Sequence, residues 1–502
     1  MAETPIIVIG AGIGGLAAGM LLAARGEPVL ILEKQSAPGG KMRLVRAGGA
    51  EIDGGPTVFT MRSIFDALFE AAGTSLAAEL KLTPLDVLAR HSWGHGPELD
   101  LFADLDRSAD AIGHFAGADA AKGYHSLTRE AKHMYETLRK TYIEKQRPSP
   151  FDVAFGAGLS GLIAMMKINP FETLWQAVSR HLKDPRLQQL FGRYATYVGS
   201  SPYQAVATLL LIAHVEQEGV WTVEGGMHEV ARAFERVFKD KGGVIRYDTS
   251  VRRIVTRGNR VRAVITAQGE EIPCRAVISN ADANALATGH FGDDVSPAVK
   301  ELDQRDRSLS AITWCAHAHT SGFPLAFHNV FFSKDYKREF EMLQQSYPPD
   351  PTIYICAQDR SGVVQDKERL LILINSPANG DSLEKNRDMV EQAMRKKLDE
   401  CGLQVDWSTA DITITSPQGF HALFPATGGA LYGRSSHGFY ASFKRPGAKT
   451  KIPGLFLAGG SAHPGAGVPM AAYSGQLASD AVSAFLSSSS HHKGARLMKG
   501  EP

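Results

Sequence analysis

Cysteine is scarce in this sequence: Cys274, Cys315, Cys356 and Cys401 are the only four in 502 residues, far apart and without a CxxC pair. That spacing argues against a disulfide framework or a thiolate zinc site and fits a reducing cytosol. An excess of one charge is missing as well. Lys and Arg number 54 against 53 Asp and Glu, so there is no sign of the concentrated basic surface that a nucleic acid backbone requires. Long apolar runs are also lacking. The longest, over 205–215, contains Thr208 and His214 and stops well short of the ~20 residues a spanning helix needs. The opening, an apolar stretch running into glycines, does not follow the charged-then-apolar pattern of a secretory leader. What remains is an ordinary globular composition, 44% apolar and 21% charged, long enough for two or three subregions around a large core. Glycine is the exception to this scarcity: there are 50, clustered towards both ends, as expected where backbone must come close to a ligand.

The N-terminal cluster carries the first chemistry. Residues 5–9 read as a short buried strand and 14–25 as a helix rich in Ala and Leu. Between them Gly10-Ala11-Gly12-Ile13-Gly14-Gly15 matches G-x-G-x-x-G in its strand-to-helix context. Gly10 permits the tight turn, Gly12 lets backbone approach a pyrophosphate, and Gly15 allows the helix to pack closely on the strand. The helix N-terminus then offers unpaired N–H groups to the phosphates. A second strand over 28–32 ends at Glu33, 21 residues after Gly12, where an acid accepts hydrogen bonds from ribose hydroxyls. These elements indicate a dinucleotide, either NAD or FAD.

Beyond Glu33 come Pro38-Gly39-Gly40-Lys41-Met42-Arg43 and Glu51-Ile52-Asp53-Gly54-Gly55-Pro56-Thr57. Near the other end stands Gly459-Gly460-Ser461-Ala462-His463-Pro464-Gly465-Ala466-Gly467-Val468-Pro469-Met470, after an apolar strand and before a helix read over 471–485. Here glycines and a helix N-terminus again face an electron-rich ligand. Together these runs resemble the flavin-dependent amine oxidase and carotenoid desaturase superfamily. The H-P-G-A-G-V-P run resembles the carotenoid desaturases, and Gly39-Gly40-Lys41-Met42-Arg43, Leu88-Ala89-Arg90-His91-Ser92-Trp93 and Ala458-Gly459-Gly460-Ser461 with Val468-Pro469-Met470 resemble their hydroxycarotenoid 3,4-desaturase branch. The resemblance implies FAD as cofactor and an α/β fold of mixed α+β character. Its parts would be a Rossmann-like FAD-binding domain of the amine oxidase and glutathione reductase type, a mixed-sheet substrate domain, and a helical region that associates with a membrane.

By the same resemblance, Gly40, Lys41, Arg43 and Gly55 meet the flavin's phosphate and ribityl region and Val251 meets the adenine. Gly460, Gly467, Val468, Pro469 and Met470 close the site around the flavin. Lys41 stands where most relatives carry arginine, so it offers a point charge but no bidentate fork. Asp53 reads equally as a flavin contact or as the cap of a turn. Amine oxidases place an aspartate soon after the strand glycine, where Gly460 and Ser461 stand here.

The expected organisation is interrupted: 1–105, 216–290 and 451–486 form the FAD-binding domain, 106–215 a helical substrate-entry region, 291–450 the substrate domain and 487–502 a disordered tail. Predicted strands include 243–247, 249–256, 261–267 and 276–282, with Gly258-Asn259 as a hairpin turn. In the substrate domain, 310–318, 352–357 and 370–375 read as strands and 382–401 as a helix. The apolar stretch 158–166, with Met165 and Met166, followed by Lys167, Arg180, His181 and Lys183, suggests an apolar face dipping below lipid headgroups. No metal cluster is expected, and His491-His492 reads as part of a solvated tail.

The implied reaction transfers a hydride to flavin N5 from a C–C bond of an acyclic 1-hydroxy or 1-methoxy carotenoid, creating the 3,4 double bond. A base must take the accompanying proton, and His91, Asp53 and His463 are the sequence candidates. Oxygen or a membrane quinone would reoxidise the flavin, at the cytoplasmic face of an inner membrane. Other readings of the same fold are a phytoene-type desaturase, a carotenoid ketolase or isomerase, an amine oxidase, and a flavin-free prenyl-binding chaperone.

Overall fold

A computed structural model describes residues 4–149, 169, 171–362, 364, 366–381 and 387–498. The Ile6–Ile9 strand, buried at every position, lies at the centre of a five-stranded parallel sheet. Val29–Leu32 and then Val244–Arg246 flank it on one side, and Ala276–Ser279 and then Leu455–Leu457 on the other. Continuous apolar runs such as Ile-Ile-Val-Ile suit a sheet covered on both faces. Because the chain leaves the first strand in opposite directions, a crevice opens at the carboxyl ends of Ile6–Ile9 and Ala276–Ser279, where open α/β sheets bind ligands. The helices Ile13–Ala24, His228–Asp240 and Val468–Met498 pack together against this sheet through one apolar cluster.

A second sheet has seven strands, in the order Asp411–Thr415, Ser310–Ala318, Glu368–Ser376, Ile353–Ala357, His328–Phe331, Val87–Ser92, Leu99–Phe102. Neighbours are antiparallel except His328–Phe331 with Val87–Ser92, which run parallel. Helices between Leu105 and Gln217 cover one side of it. The hairpin Val251–Arg257 and Arg260–Thr266 turns at Gly258 and Asn259, both with positive φ (59° and 55°), as a two-residue turn of primed type requires.

Two boundaries differ from the sequence reading. Val87–Ser92 and Leu99–Phe102 lie within 1–105 but belong to the second sheet, because Val87–Ser92 pairs with His328–Phe331, more than 200 residues away, which local pattern cannot register, and carries its hairpin neighbour Leu99–Phe102 with it. The last helix runs from Val468 to Met498, past residue 485 and into the segment read as a disordered tail. No proline interrupts it between Pro469 and Pro502, and Ser487 and Ser488 bond back to the carbonyls of Ser483 and Phe485. Arg180 and His181 pair with Glu130, and Arg180 also with Glu172. The stretch 158–166 and Lys167 lie outside the described residues. No helix among the described residues is long and apolar enough to cross a membrane.

Candidate functional site

The site begins at the glycine turn after the first strand. Gly10 has φ 97°, open to glycine and strained for other residues. Gly12 precedes the Ile13–Ala24 helix, and no side chain caps its first N–H groups; such a helix end is a ready anion site. Glu33 is buried, and its carboxylate accepts from the backbone N–H of Ala11 (2.6 Å) and of Gln35 (2.8 Å). A carboxylate has about four lone-pair sites, so acceptor capacity remains for ribose hydroxyls.

Three segments meet around this turn. A Cβ added at Gly14 would lie 2.7 Å from the Gly459 nitrogen, 2.8 Å from the Ala471 oxygen and 2.8 Å from Asn280 Oδ1. One added at Gly12 would lie 2.5 Å from Asn280 Nδ2, and one at Gly15 would lie 2.2 Å from the Gly10 oxygen. The side chain of Asn280, just past the Ala276–Ser279 strand, therefore occupies the space beneath both glycine clusters. Gly39 donates from its N–H to the Ala11 carbonyl (2.8 Å), which ties the Gly39-Gly40 turn to the first.

The basic groups are placed with equal specificity. Lys41 Nζ donates to the Leu431 carbonyl (2.6 Å), with burial lowering its pKa. Arg43 donates to Thr415 Oγ1 (2.8 Å) and is likewise lowered by burial, and its Nε finds no partner among the described residues. Arg445 is buried and donates to the carbonyls of Tyr432 (3.0 Å), Gly460 (2.9 Å) and Arg434 (2.6 Å). It thereby fixes the second glycine loop.

A single cavity of about 1130 Å³ runs through these elements. Gly10, Gly12, Gly14, Glu33, Gly40, Lys41, Arg43, Gly55, Val251, Gly460, Gly467, Val468, Pro469 and Met470 all line it. Ala11 and Gly15 stand behind the lining, the first as a donor to Glu33 and the second at the helix–strand contact. Past the glycines the cavity continues into a chamber walled by residues such as Val206, Leu209, Ile212, Val330 and Leu373.

The three candidate bases are not in the lining. His91 is wholly buried on Val87–Ser92, stacked near Trp93 and Phe332, and bonded through Nδ1 to the Leu99 carbonyl (3.0 Å). Burial, with Arg193 nearby, pushes its pKa down to about 3, so it is a neutral core residue. His463 precedes a cis bond to Pro464 and packs edge-on against Tyr142, and burial lowers its pKa to about 4. Asp53 accepts from the N–H groups of Met227 (2.8 Å) and His228 (2.9 Å), capping the His228–Asp240 helix. Its backbone N–H and carbonyl also bond the Gln358 amide, at 3.0 Å each. Of its two sequence readings, the cap describes it; burial raises its pKa against those two backbone bonds.

Asn280, Arg445 and a buried polar group in the chamber (Arg193, Tyr197, Glu216) were not singled out by the sequence reading. The polar end of the 276–282 strand hinted at the first. The others lie in segments whose pattern reads simply as core.

A cradle with an uncapped helix end, an acid with spare acceptors and glycines at van der Waals limits fits a bound dinucleotide. Its opening onto an apolar chamber defines an oxidoreductase with a lipophilic second ligand. The chain matches the family described as flavin containing amine oxidoreductase over residues 13–483. A hydroxyneurosporene desaturase of Rubrivivax gelatinosus is 49% identical over 497 residues, covering 97% of this chain and 95% of that one. A hydroxyneurosporene desaturase of Cereibacter sphaeroides is 42% identical over 488 residues, covering 97% and 98%. A 1-hydroxycarotenoid 3,4-desaturase of a Flavobacterium species is 28% identical over 486 residues, covering 95% and 98%. Cyclohexylamine oxidase from Brevibacterium oxydans shares the fold with a TM-score of 0.58 at 17% identity, over 97% of this chain and 100% of that one. The chain belongs to the flavin-containing amine oxidoreductase family, in its carotenoid desaturase branch, and is a FAD-dependent oxidoreductase acting on CH–CH groups.

Proposed function

We propose that the protein introduces the 3,4 double bond into an acyclic 1-hydroxy or 1-methoxy carotenoid. The observation that carries this reading is the continuity of one cavity from Glu33, through both glycine loops, into the apolar chamber. The name of the 1-hydroxycarotenoid 3,4-desaturase supports the position of the new bond, and those of the hydroxyneurosporene desaturases support the hydroxylated substrate. FAD, when bound, supplies the two-electron acceptor: the substrate loses a hydride to it and a proton to a base, and oxygen or a quinone later removes the electrons.

The protein's share is binding, orientation and exclusion of water. Gly10, Gly12 and Gly14 hold backbone close to the pyrophosphate, with Glu33 on the ribose. Lys41 and Arg43 bring positive charge to the middle of the cavity. The chamber walls hold an extended hydrocarbon that has almost no hydrogen-bonding handle, so the reacting carbons are aligned by shape. A conjugated polyene stabilises cationic character beside the breaking bond, which orders hydride loss before proton loss.

We also place the protein peripherally on a membrane, the store of so insoluble a substrate. Phe171 and Tyr440 are exposed (80% and 60%) beside the cavity-lining Phe439, and such aromatics suit a headgroup boundary. Flotation with liposomes tests this part; recovery in the soluble fraction alone refutes it.

The test of the reaction is anaerobic incubation of FAD-loaded protein with 1-hydroxyneurosporene in liposomes. Flavin bleaching with a product two hydrogens lighter is the expected result. Bleaching with phytoene alone moves the assignment to a phytoene-type desaturase. Oxygen gain or unchanged mass would indicate a ketolase or an isomerase, and no bleaching with any carotenoid refutes the desaturation.

A further inference from the structure

A charged polar cluster lines the apolar chamber. Arg193 is 9% exposed and lines the cavity, yet among the described residues it makes a single long bond, from Nη2 to the Tyr197 hydroxyl (3.4 Å), with its guanidinium 5.2 Å from that ring. Its Nε has no hydrogen-bond partner among the described residues. Glu216, also buried and lining the cavity, accepts from the hydroxyls of Tyr194 (2.8 Å) and Tyr197. Tyr354, which lines the same cavity, bonds Thr57 Oγ1 (2.6 Å) of the Gly55-Pro56-Thr57 loop and His328 Nδ1 (2.7 Å).

A purely hydrocarbon ligand in this chamber would seal Arg193 from water with donors unmet, a strongly unfavourable state for a charged group. One oxygen on the ligand relieves it. Because Glu216 lies near enough to stabilise the charge of Arg193 without pairing directly with it, the group that fits is a neutral oxygen and not a carboxylate. A hydroxyl suits best, since it accepts from Arg193 and donates to an acceptor such as the Glu216 carboxylate. We infer that Arg193, with Tyr197 and Glu216, is the subsite that reads the tertiary hydroxyl at C1 of the polyene and so determines specificity. The inference rests on the proposed reaction, in which C1 lies only two bonds from the carbon being desaturated. Thr57, in the loop expected at the flavin, and Tyr354, near enough to Arg193 and Tyr197 to feel their charge, line the same cavity as this group.

The test uses full-length, FAD-loaded wild type, R193M and Y197F. Equilibrium binding, read from the polyene absorption band, and kcat/KM are measured for 1-hydroxyneurosporene and for neurosporene, the same polyene without the hydroxyl. Wild type should prefer the hydroxylated polyene by about 10- to 100-fold, the scale of a hydrogen bond to a charged group. R193M should bring both ratios close to one, and Y197F should lower them about three- to tenfold. Loss of packing alone would depress both substrates equally and leave the ratios unchanged. Wild-type ratios in an R193M protein that keeps its flavin spectrum overturn the inference. If R193M does not fold, unchanged ratios in Y197F overturn it. Equal use of the two polyenes by wild type overturns the subsite while leaving the desaturase reading intact; failure to bind or bleach with either removes that reading and the subsite with it.

Discussion

Gly14→Ala tests whether the cofactor cradle depends on contact between its two glycine loops. The new methyl group would stand 2.7 Å from the Gly459 nitrogen and 2.8 Å from both the Ala471 oxygen and Asn280 Oδ1. Two of these three atoms are backbone and cannot swing aside. Ordinary contact begins near 3.4 Å, so the Gly459 loop must retreat by about 0.7 Å from the first helix. Overpacking of this size costs about 1–3 kcal/mol, and here it falls on the geometry that approaches the pyrophosphate. FAD affinity should therefore drop about 5- to 150-fold, measured by quenching of flavin fluorescence as apoprotein is titrated. Gly49→Ala is the control, because nothing lies within 4 Å of its added methyl, and it should bind FAD as wild type does. A G14A protein with wild-type FAD affinity and thermal midpoint would refute the close-approach reasoning.

Asp53→Ala removes the cap of the His228–Asp240 helix, and stability should fall by about 1–2 kcal/mol, read from the denaturant midpoint; an unmoved midpoint would contradict the capping role. His91→Phe keeps an aromatic ring between Trp93 and Phe332 and should retain turnover within about threefold, the loss of one buried hydrogen bond costing about 1 kcal/mol of stability; a hundredfold fall in kcat would restore His91 as a base. Burial lifts the carboxyl of Glu339 to about 7, against bonds from Ser333 and Thr352. The folded state therefore holds this proton more tightly than the unfolded chain. Its contribution is whole below about pH 4.5 and is lost as pH rises through 7. E339Q should flatten the stability profile over that window, and a wild-type slope between pH 5 and 8 in E339Q would disprove it.

The dinucleotide end was legible because its information is local. Gly10 to Gly15 and Glu33 lie within two strands and one helix, and each residue type answers a steric or hydrogen-bonding need that neighbouring positions state. The run from Gly459 to Met470 is legible for the same reason. Asn280, which fills the space beneath both loops, was not, because the need it meets arises from Gly10 and Gly459, far away in the chain. His91 and Asp53 misled in a related way. A histidine or aspartate near a motif reads as chemistry, yet pairing of Val87–Ser92 with His328–Phe331 buries the first, and the Met227 and His228 amides claim the second.

The chamber shows most clearly why function was harder to read than fold. Its walls come from segments that each look like ordinary core, since a surface shaped for hydrocarbon uses the same residues as a core does. What distinguishes it is the exception within it. Arg193 opens the Arg193–Val198 turn and Glu216 lies on the Leu211–Gln217 helix, segments whose pattern reads as core, and only the tertiary structure brings both onto one cavity. Buried charge without full satisfaction is costly, so its presence beside an apolar ligand space requires something to complete it. In the proposed reaction, the C1 hydroxyl of an otherwise hydrocarbon substrate is the group able to do so.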